Sequence, residues 1–509
     1  MDKLILISLL NNNIIVFVKA LFDKLNNLNI NYIYLIPSIL YFYNIHEIVY
    51  PKNYQQDDVR ELYVSNYLDF SCVIDAGDNH PLWTYLIWIF SKIDLIELGY
   101  IVSTFNIFLL FGATYFIFKF SNEKYGSSIA ILISILLVSS PVVITYSVSL
   151  KQYMLELFFS SYCLYVTKDN ETLISKFNSI NFYLVSIFFV AGSLVNAGIF
   201  AFVVLYYLLV IKVDKLNLRY FALSGLPVLF FSNRILNKIN RDSYSSYWEN
   251  YFITNSDSIG IFNKISFIFN MTFKSYFGFV YTDILFFLMF SIILFSLVIN
   301  LKSNLFSKYI IFVFIFLNIL QLYPLGTGRT DIILFPFYLS LIAEIVFYVQ
   351  TKLNSNSINF LTSVILLIVL INGNPFYKQE HITPALEEIR QINDKNTAIV
   401  IASEQYPSFE YYGQKVFGSK LIKNQNCYVY NLSLNDYFIV SRKSLDVEKF
   451  NNYSAEIMQF SKILLIGIEL DSRGVFRDFE DEILNSGYVL DNLKLFPDGI
   501  YFNSYELRE

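Results

Sequence analysis

PKNYQQDDVRELYVSNYLDFSCVIDAGDNHP, residues 51–81, is a carboxylate-rich stretch wedged between two long apolar runs. It holds six acids (Asp57, Asp58, Glu61, Asp69, Asp75 and Asp78) and His80, one of only 3 histidines in 509 residues. INYIYLIPSILYFYNIHEIVY (30–50) precedes it and PLWTYLIWIFSKIDLIEL (81–98) follows. Charges held close to a bilayer are costly, so a dense group of them is a functional-site hypothesis by default. The plainer reading is a solvated acidic loop.

The flanking runs set the class. The chain is 55% hydrophobic, 18% aromatic and 16% charged, with mean hydropathy +0.47, whereas soluble domains average about 25% charged. Repeated apolar runs of about 18–22 residues predict a multi-pass α-helical membrane protein. A net charge of −5 argues against a nucleic-acid partner, which wants a basic face. Cys72, Cys163 and Cys427 are far apart and form no CxxC pair, a pattern that argues against both a thiolate zinc site and a disulfide framework. The opening MDKLILISLLNNNIIVFVKALF is broken by Asn11, Asn12 and Asn13 and lacks a small-residue cleavage site, so it does not read as a cleavable signal. Residues 1–29 are expected as an amphipathic segment on the cytoplasmic side, with Lys3, Lys19 and Lys24 near the headgroups.

Charge then orients the spans. Residues 30–50 form the first. The apolar part of 81–97 is short for a span, and residues 98–118 end at Lys119 and Lys124, which favour the cytoplasm. Residues 81–97 are therefore expected as a juxtamembrane helix on the outer face. The alternation continues outward through 126–147 and inward through 150–167 to Lys168 and Lys176, followed by a tight hairpin of 180–197 and 198–211. Then 218–236 go out, 280–300 in, 308–323 out, 331–350 in to Lys352, and 357–372 out, with 262–280 left unassigned. That makes about eleven spans, the N-terminus inside and the C-terminus outside. From residue 373 the pattern changes. NPFYKQEHITPALEEIRQIN (374–393) and FRDFEDEILNSG (476–487) read as helices, and TAIVIAS (397–403), SKILLIGIEL (461–470) and GIYFNSY (499–505) as strands. The expected division is thus 1–29, a transmembrane domain 30–372 with its first outer loop at 51–97, and a small extracytoplasmic α/β domain 373–509. No internal repeat is visible.

Three polar clusters fall on one face in this topology. The first is the acidic loop with Asp57 and Asp58. In TYSVSLKQYMLEL (145–157), Lys151, Gln152 and Tyr153 open a span and Glu156 lies one turn in. In LYPLGTGRTDIILFP (322–336), Arg329 and Asp331 sit at the mouth of another span, where Pro324, Gly326 and Gly328 allow a tight turn. Together these suit the removal of a group from a lipid phosphate. A carboxylate takes the proton of an incoming hydroxyl, and cations stabilise the departing phosphate, Arg329 through a bidentate contact and Lys151 as a point charge. Each element also has a plainer reading. Lys151 snorkels to the interface, Arg329 and Asp331 make a structural turn pair, and His80 starts a helix before Pro81. YSSYWENY (244–251) belongs to an aromatic belt rather than a sugar platform.

The same stretches carry a resemblance. QDD (56–58), DNHPLWTYLIWIF (78–90), SSPVVITYSVSLKQYMLEL (139–157) and YPLGTGRTDIILFP (323–336) follow one another as do the motifs of the GT-C superfamily of lipid-phosphate-sugar glycosyltransferases. The likeness is to the family 39 branch, which includes protein mannosyltransferases and aminoarabinose transferases. EEIRQINDKNTAIVIASEQYPSFEYYG (387–413) resembles the outer domain such proteins often append, so coverage runs over roughly residues 30–413. The resemblance implies that Asp57 is the catalytic base, with Asp58 where a glutamate is usual, and that Lys151 and Arg329 bind the donor phosphate. His80, Gln152, Tyr153, Glu156 and Asp331 are candidate substrate contacts. Two departures stand out: His80-Pro81 replaces the usual double proline, and Ser149-Leu150 replaces the acid before the Lys-Gln-Tyr segment.

The activity so implied is sugar transfer from a polyprenyl-monophosphate donor to a glycan, lipid or protein acceptor at the outer face of the cytoplasmic membrane, with inversion. A monophosphate leaves with less charge than a diphosphate, so no cofactor is expected and a divalent metal is not expected to be obligatory. The alternative is a transporter or flippase for a glycolipid-type substrate, which wants polar residues near the midplane and repeat symmetry. A scaffold acting through residues 373–509 is a third reading.

Overall fold

The structure, a computed structural model, describes residues 67–68, 72–73, 80–93, 98–210, 249–254, 260–278, 304–352, 382–392, 396–402, 406–424, 427–432, 437–440, 456–468, 480–495 and 500–508. The segment 1–29, the expected spans 30–50, 218–236, 280–300 and 357–372, and the acids Asp57, Asp58, Glu61, Asp69, Asp75 and Asp78 lie outside the described residues.

Helix α1 (Pro81–Ser91) has His80 at its N-cap and a proline in its first turn, where the missing N–H would have had no helical partner. It is followed by α2 (Leu98–Tyr125), α3 (Ser127–Val138), α4 (Pro141–Ser147), α5 (Tyr153–Val166), α6 (Asn170–Phe177), α7 (Ile180–Gly192) and α8 (Leu194–Val210). The chain bends by 59° between α3 and α4, where Pro141 cannot donate to the preceding turn, and by 85° between α6 and α7. Among the described residues, Leu98–Tyr125 and Thr330–Thr351 are long and apolar enough to cross a membrane, and the number rises to 4 if each bent pair is one span.

The hairpin expected from 180–197 and 198–211 breaks earlier, at Ser193, which is extended (φ −156°, ψ 137°). Its hydroxyl accepts from the Val195 N–H and donates to Glu156. The run is apolar on both sides of this serine, so hydropathy alone misses the break. Residues left unassigned in the sequence form α9 (Ile261–Phe277), closed by Gly278 in the left-handed region at φ 69°. After it come α10 (Leu305–Ile319), a turn over 320–334, and α11 (Phe335–Lys352).

Contacts at the helix ends fix their directions. Asn106, early in α2, donates to the Ser149 carbonyl just before α5. At the far ends, Lys119 of α2 lies over the Tyr165 ring of α5 at 5.1 Å. These two helices therefore run parallel, with α3 and α4 as the return. Asn304, at the start of α10, accepts from Lys124 at 2.9 Å and donates to Tyr125 at 2.5 Å, both at the end of α2. Helix α10 thus runs back toward residues 148–152, and the 330–334 turn beyond it packs on α5. The second and third polar clusters share one end of the bundle. Lys119, Lys124, Lys168 and Lys308 occupy the other.

Beyond the bundle, α12 (Thr383–Ile392) and α13 (Tyr406–Phe417) accompany a five-stranded sheet of order β4-β1-β5-β7-β6. The strands are β1 (Thr397–Ala402), β4 (Tyr437–Val440), β5 (Lys462–Ile468), β6 (Tyr488–Leu495) and β7 (Ile500–Leu507). β4, β1 and β5 are parallel, and β7 runs antiparallel to β5 and β6. The KILLIGI run of β5 is apolar on both faces because both are covered. Leu464 and Ile466 join the main core with Ile399 and Ile401, while Ile463 and Leu465 form a smaller cluster with Ala398, Val400 and Tyr505. β2 (Ser419–Asn424) and β3 (Cys427–Leu432) make a separate hairpin.

That hairpin overturns the cysteine reading. Cys72 and Cys427 form a disulfide across 355 residues, while Cys163 is buried and free. Chain spacing says nothing about a pair so distant. Proximity comes from the hairpin, where the Leu68 N–H donates to the Tyr428 carbonyl at 3.1 Å and sets the end of the acidic stretch beside β3.

Candidate active site

The backbone of residues 148–152 is clamped by two buried side chains from elsewhere in the chain. Trp83 Nε1 of α1 donates to the Leu150 carbonyl at 2.7 Å, and Asn106 Nδ2 of α2 donates to the Ser149 carbonyl at 2.7 Å. The Ser149 hydroxyl accepts the Lys151 N–H at 3.0 Å. Lys151 is half-buried on this clamped turn. Gln152 is the N-cap residue of α5, and its Nε2 lies 2.9 Å from His80 Nε2, which brings together candidates 72 positions apart. The Tyr153 ring packs on Tyr146 with centroids 4.4 Å apart. Glu156 is only 1% exposed and accepts from Ser193 Oγ at 2.5 Å, so it sits inside the bundle rather than at its surface.

The turn that carries Arg329 is organised by Asp331. This carboxylate is fully buried. It accepts the Gly326 N–H at 2.6 Å and the hydroxyls of Thr272 and Thr330 at 3.3 Å each, while Tyr276 donates to the Asp331 carbonyl. Tyr323 reaches over the turn to the Thr330 carbonyl at 2.5 Å. Gly326 adopts φ 86°, and a Cβ there would meet the Ile268 carbonyl oxygen at 2.8 Å. Glycine is the residue that fits both constraints. Asp331 is placed to shape the turn, whereas half-buried Arg329 directly precedes the 3₁₀ segment Thr330–Leu334.

Helix α9 escaped the sequence reading. Ile268 lies against Gly326, Thr272 binds Asp331, and Ser275 faces Gly328. Lys264, one helical turn before Ile268, is a lysine only 6% exposed. Polar and small residues at 264, 272 and 275 recur at helical spacing, a signal that could have found this face. Trp83 and Asn106 carried no such signal.

The acidic stretch is held at its C-terminal end. Trp88 Nε1 of α1 and Lys92 Nζ at its C-cap both donate to the Tyr67 carbonyl, at 2.9 and 3.0 Å. Tyr67 is thus tied to α1 and its C-cap, and Leu68 and Cys72 to β3 by backbone and disulfide. The same α1 also holds Leu150 and contributes His80, so it ties the end of the acidic stretch to the Lys151 turn.

No protein-family model matches the sequence, and no curated protein matches it at a significant level. Solved structures do resemble it. The crystal structure of ArnT from Cupriavidus metallidurans bound to undecaprenyl phosphate superposes with a TM-score of 0.53 at 9% identity, over 93% of this chain and 97% of that one. The same protein in its apo state gives 0.52 at 8% identity, over 93% and 97%. At such identity the likeness is one of fold alone.

Proposed function

We propose that this chain is a membrane glycosyltransferase that moves a sugar from a polyprenyl-monophosphate donor to a glycan, lipid or protein acceptor. The carrying observation is the convergence of the Lys151 turn and the Arg329 turn at one end of a bundle with this fold. ArnT, which shares the fold, binds undecaprenyl phosphate. In the proposed reaction Asp57 takes the proton of the acceptor hydroxyl, whose oxygen attacks the anomeric carbon. The bond from that carbon to the phosphate oxygen breaks, the electron pair leaves with the phosphate, and configuration inverts. Lys151 and Arg329 stabilise the charge that develops. Asp58 stands beside the base, and His80, Gln152 and Tyr153 line the approach. Asp331 and Glu156 act by holding other groups in place rather than by touching substrate. Two cations suffice for a departing monophosphate, so the reaction needs no divalent metal.

The active end faces the extracytoplasmic side of the cell membrane in this proposal. The lysines at the opposite end support that orientation. So does the Cys72–Cys427 disulfide, since such bonds persist in oxidising compartments. The test uses purified protein in detergent and radiolabelled polyprenyl-monophosphate sugars, with and without chelator. Asp57→Asn is expected to lower donor turnover by about 10²–10⁴-fold while donor binding is retained. If no donor of the panel binds the wild type, the glycosyltransferase reading fails and transport is assayed instead.

A further inference from the structure

We propose that the Cys72–Cys427 disulfide is a positioning pair for the Lys151 turn, acting through Tyr67 and α1. The path starts in the C-terminal region. Leu432, at the end of β3, is buried, and a Cβ on Gly413 of α13 would lie 2.8 Å from its Cδ1. Strand β3 is thus seated closely on α13. At its other end, Cys427 is bonded to Cys72, and the Tyr428 carbonyl accepts the Leu68 N–H at 3.1 Å. Leu68 follows Tyr67, whose carbonyl takes the Trp88 Nε1 and Lys92 Nζ donors from the C-terminal end of α1.

The opposite end of α1 reaches the candidate site. Trp83 donates to the Leu150 carbonyl and His80 meets Gln152, so Lys151 lies between two residues that α1 holds. Helix α1 has 11 residues, and its one proline is in the first turn. At 1.5 Å per residue it is a rod of about 16 Å, with no kink to absorb a shift between its ends.

The covalent bond is the member of this path that the others cannot replace. One backbone hydrogen bond adds little in net terms, and chain connectivity does not keep groups 355 positions apart side by side. Cys72 and Val73 are 5% and 1% exposed, so the tethered end is packed as well as bonded. Opening the disulfide takes from Tyr67 its covalent reference to β3, and from α1 the point that fixes its far end. The consequence for substrate rests on the glycosyltransferase reading, in which Lys151 holds the donor phosphate.

The experiment is hydrogen exchange of the full chain in nanodiscs, read by mass spectrometry, with Cys72→Ser, Cys427→Ser and the double substitution. All three are expected to exchange faster in α1 and at residues 148–152, while α10, which is remote from α1, keeps its wild-type rates. Affinity for undecaprenyl phosphate, the lipid that ArnT holds, is expected to fall by about 2–30-fold, the range of coupling through such networks. Trp88→Phe leaves the disulfide and the ring that stacks on Tyr85 but removes the indole donor to Tyr67. It is expected to speed exchange at 148–152 as well, and to add little to Cys427→Ser, because both cut one path. Should the cysteine variants fail to fold, Trp88→Phe carries the test. Exchange in α1 and at 148–152 that no variant moves would overturn the proposal. So would a uniform rise that includes α10, which marks a bond serving stability alone, or a wild type in which both cysteines are thiols. The exchange result needs no donor. The expected pattern in a wild type that binds no polyprenyl phosphate would sink the glycosyltransferase reading and leave the positioning role standing.

Discussion

The two ends of the bundle carry similar cations and hold them differently. At the lysine-rich end, Lys308 pairs with Glu344 at 3.5 Å between α10 and α11, Lys168 pairs with Glu123, and Lys124 donates to Asn304. Charge there is matched inside the scaffold and joins helices to one another. At the other end, the turns under Lys151 and Arg329 are built by Trp83, Asn106, Ser149, Thr272 and Asp331 bonding to backbone and hydroxyl groups. Trp83 and Asn106 reach the Lys151 turn from 67 and 43 positions away, and the two turns set the places of Lys151 and Arg329.

Substitutions can break that contrast. The largest effect on stability is expected from Lys308→Ala, which strands Glu344 where both side chains are 8% exposed and should cost about 3–5 kcal/mol. Thermal unfolding in detergent reads this, and turnover per folded molecule should not change. Lost turnover at unchanged stability would erase the distinction between the ends. Arg329→Ala should do the opposite. Donor binding weakens by about 1.5–3 kcal/mol with stability retained, and Arg329→Lys recovers only part, because an ammonium lacks the planar fork.

Gly326→Ala sharpens the comparison by leaving Arg329 in place and disturbing only its mount. The left-handed backbone costs an L-residue about 1–2 kcal/mol, and the new Cβ presses on Ile268. Donor affinity should therefore fall together with stability, and unchanged affinity would detach the turn from the site. The smallest effect is expected at Glu123, which pairs with Lys168 near the surface. Glu123→Gln should shift stability by less than about 1 kcal/mol and leave turnover alone.

Much of this organisation was legible because it is local. The apolar length of 98–118 announced α2, and Pro81 announced the start of α1. The Pro324-Gly326-Gly328 pattern announced a turn in front of a span, which the structure places there. What escaped is pairwise. Ser193 breaks an apolar run because it meets Glu156, 37 positions away. His80 meets Gln152 across 72 positions, and Cys72 meets Cys427 across 355. Hydropathy and spacing hold no record of such meetings, and an unassigned helix, α9, turned out to be the wall behind the Arg329 turn. Asp331 shows the same division within one residue. Its place at the mouth of a span was readable, whereas its burial beneath Gly326 was not.

By itself, the sequence determined that this chain builds apolar helices long enough to cross a membrane. It also determined that Lys119, Lys124 and Lys168 gather at the far ends of α2 and α5 and that polar motifs precede α5 and α11, since apolar length, charge and turn chemistry act within a few residues. Only the tertiary structure decided which polar groups hold turns and which are buried partners. It also decided that Leu68 and Cys72 are joined to β3, far along the chain. Those outcomes depend on side chains far apart in the chain arriving within about 3 Å of one another, the distance at which a hydrogen bond forms.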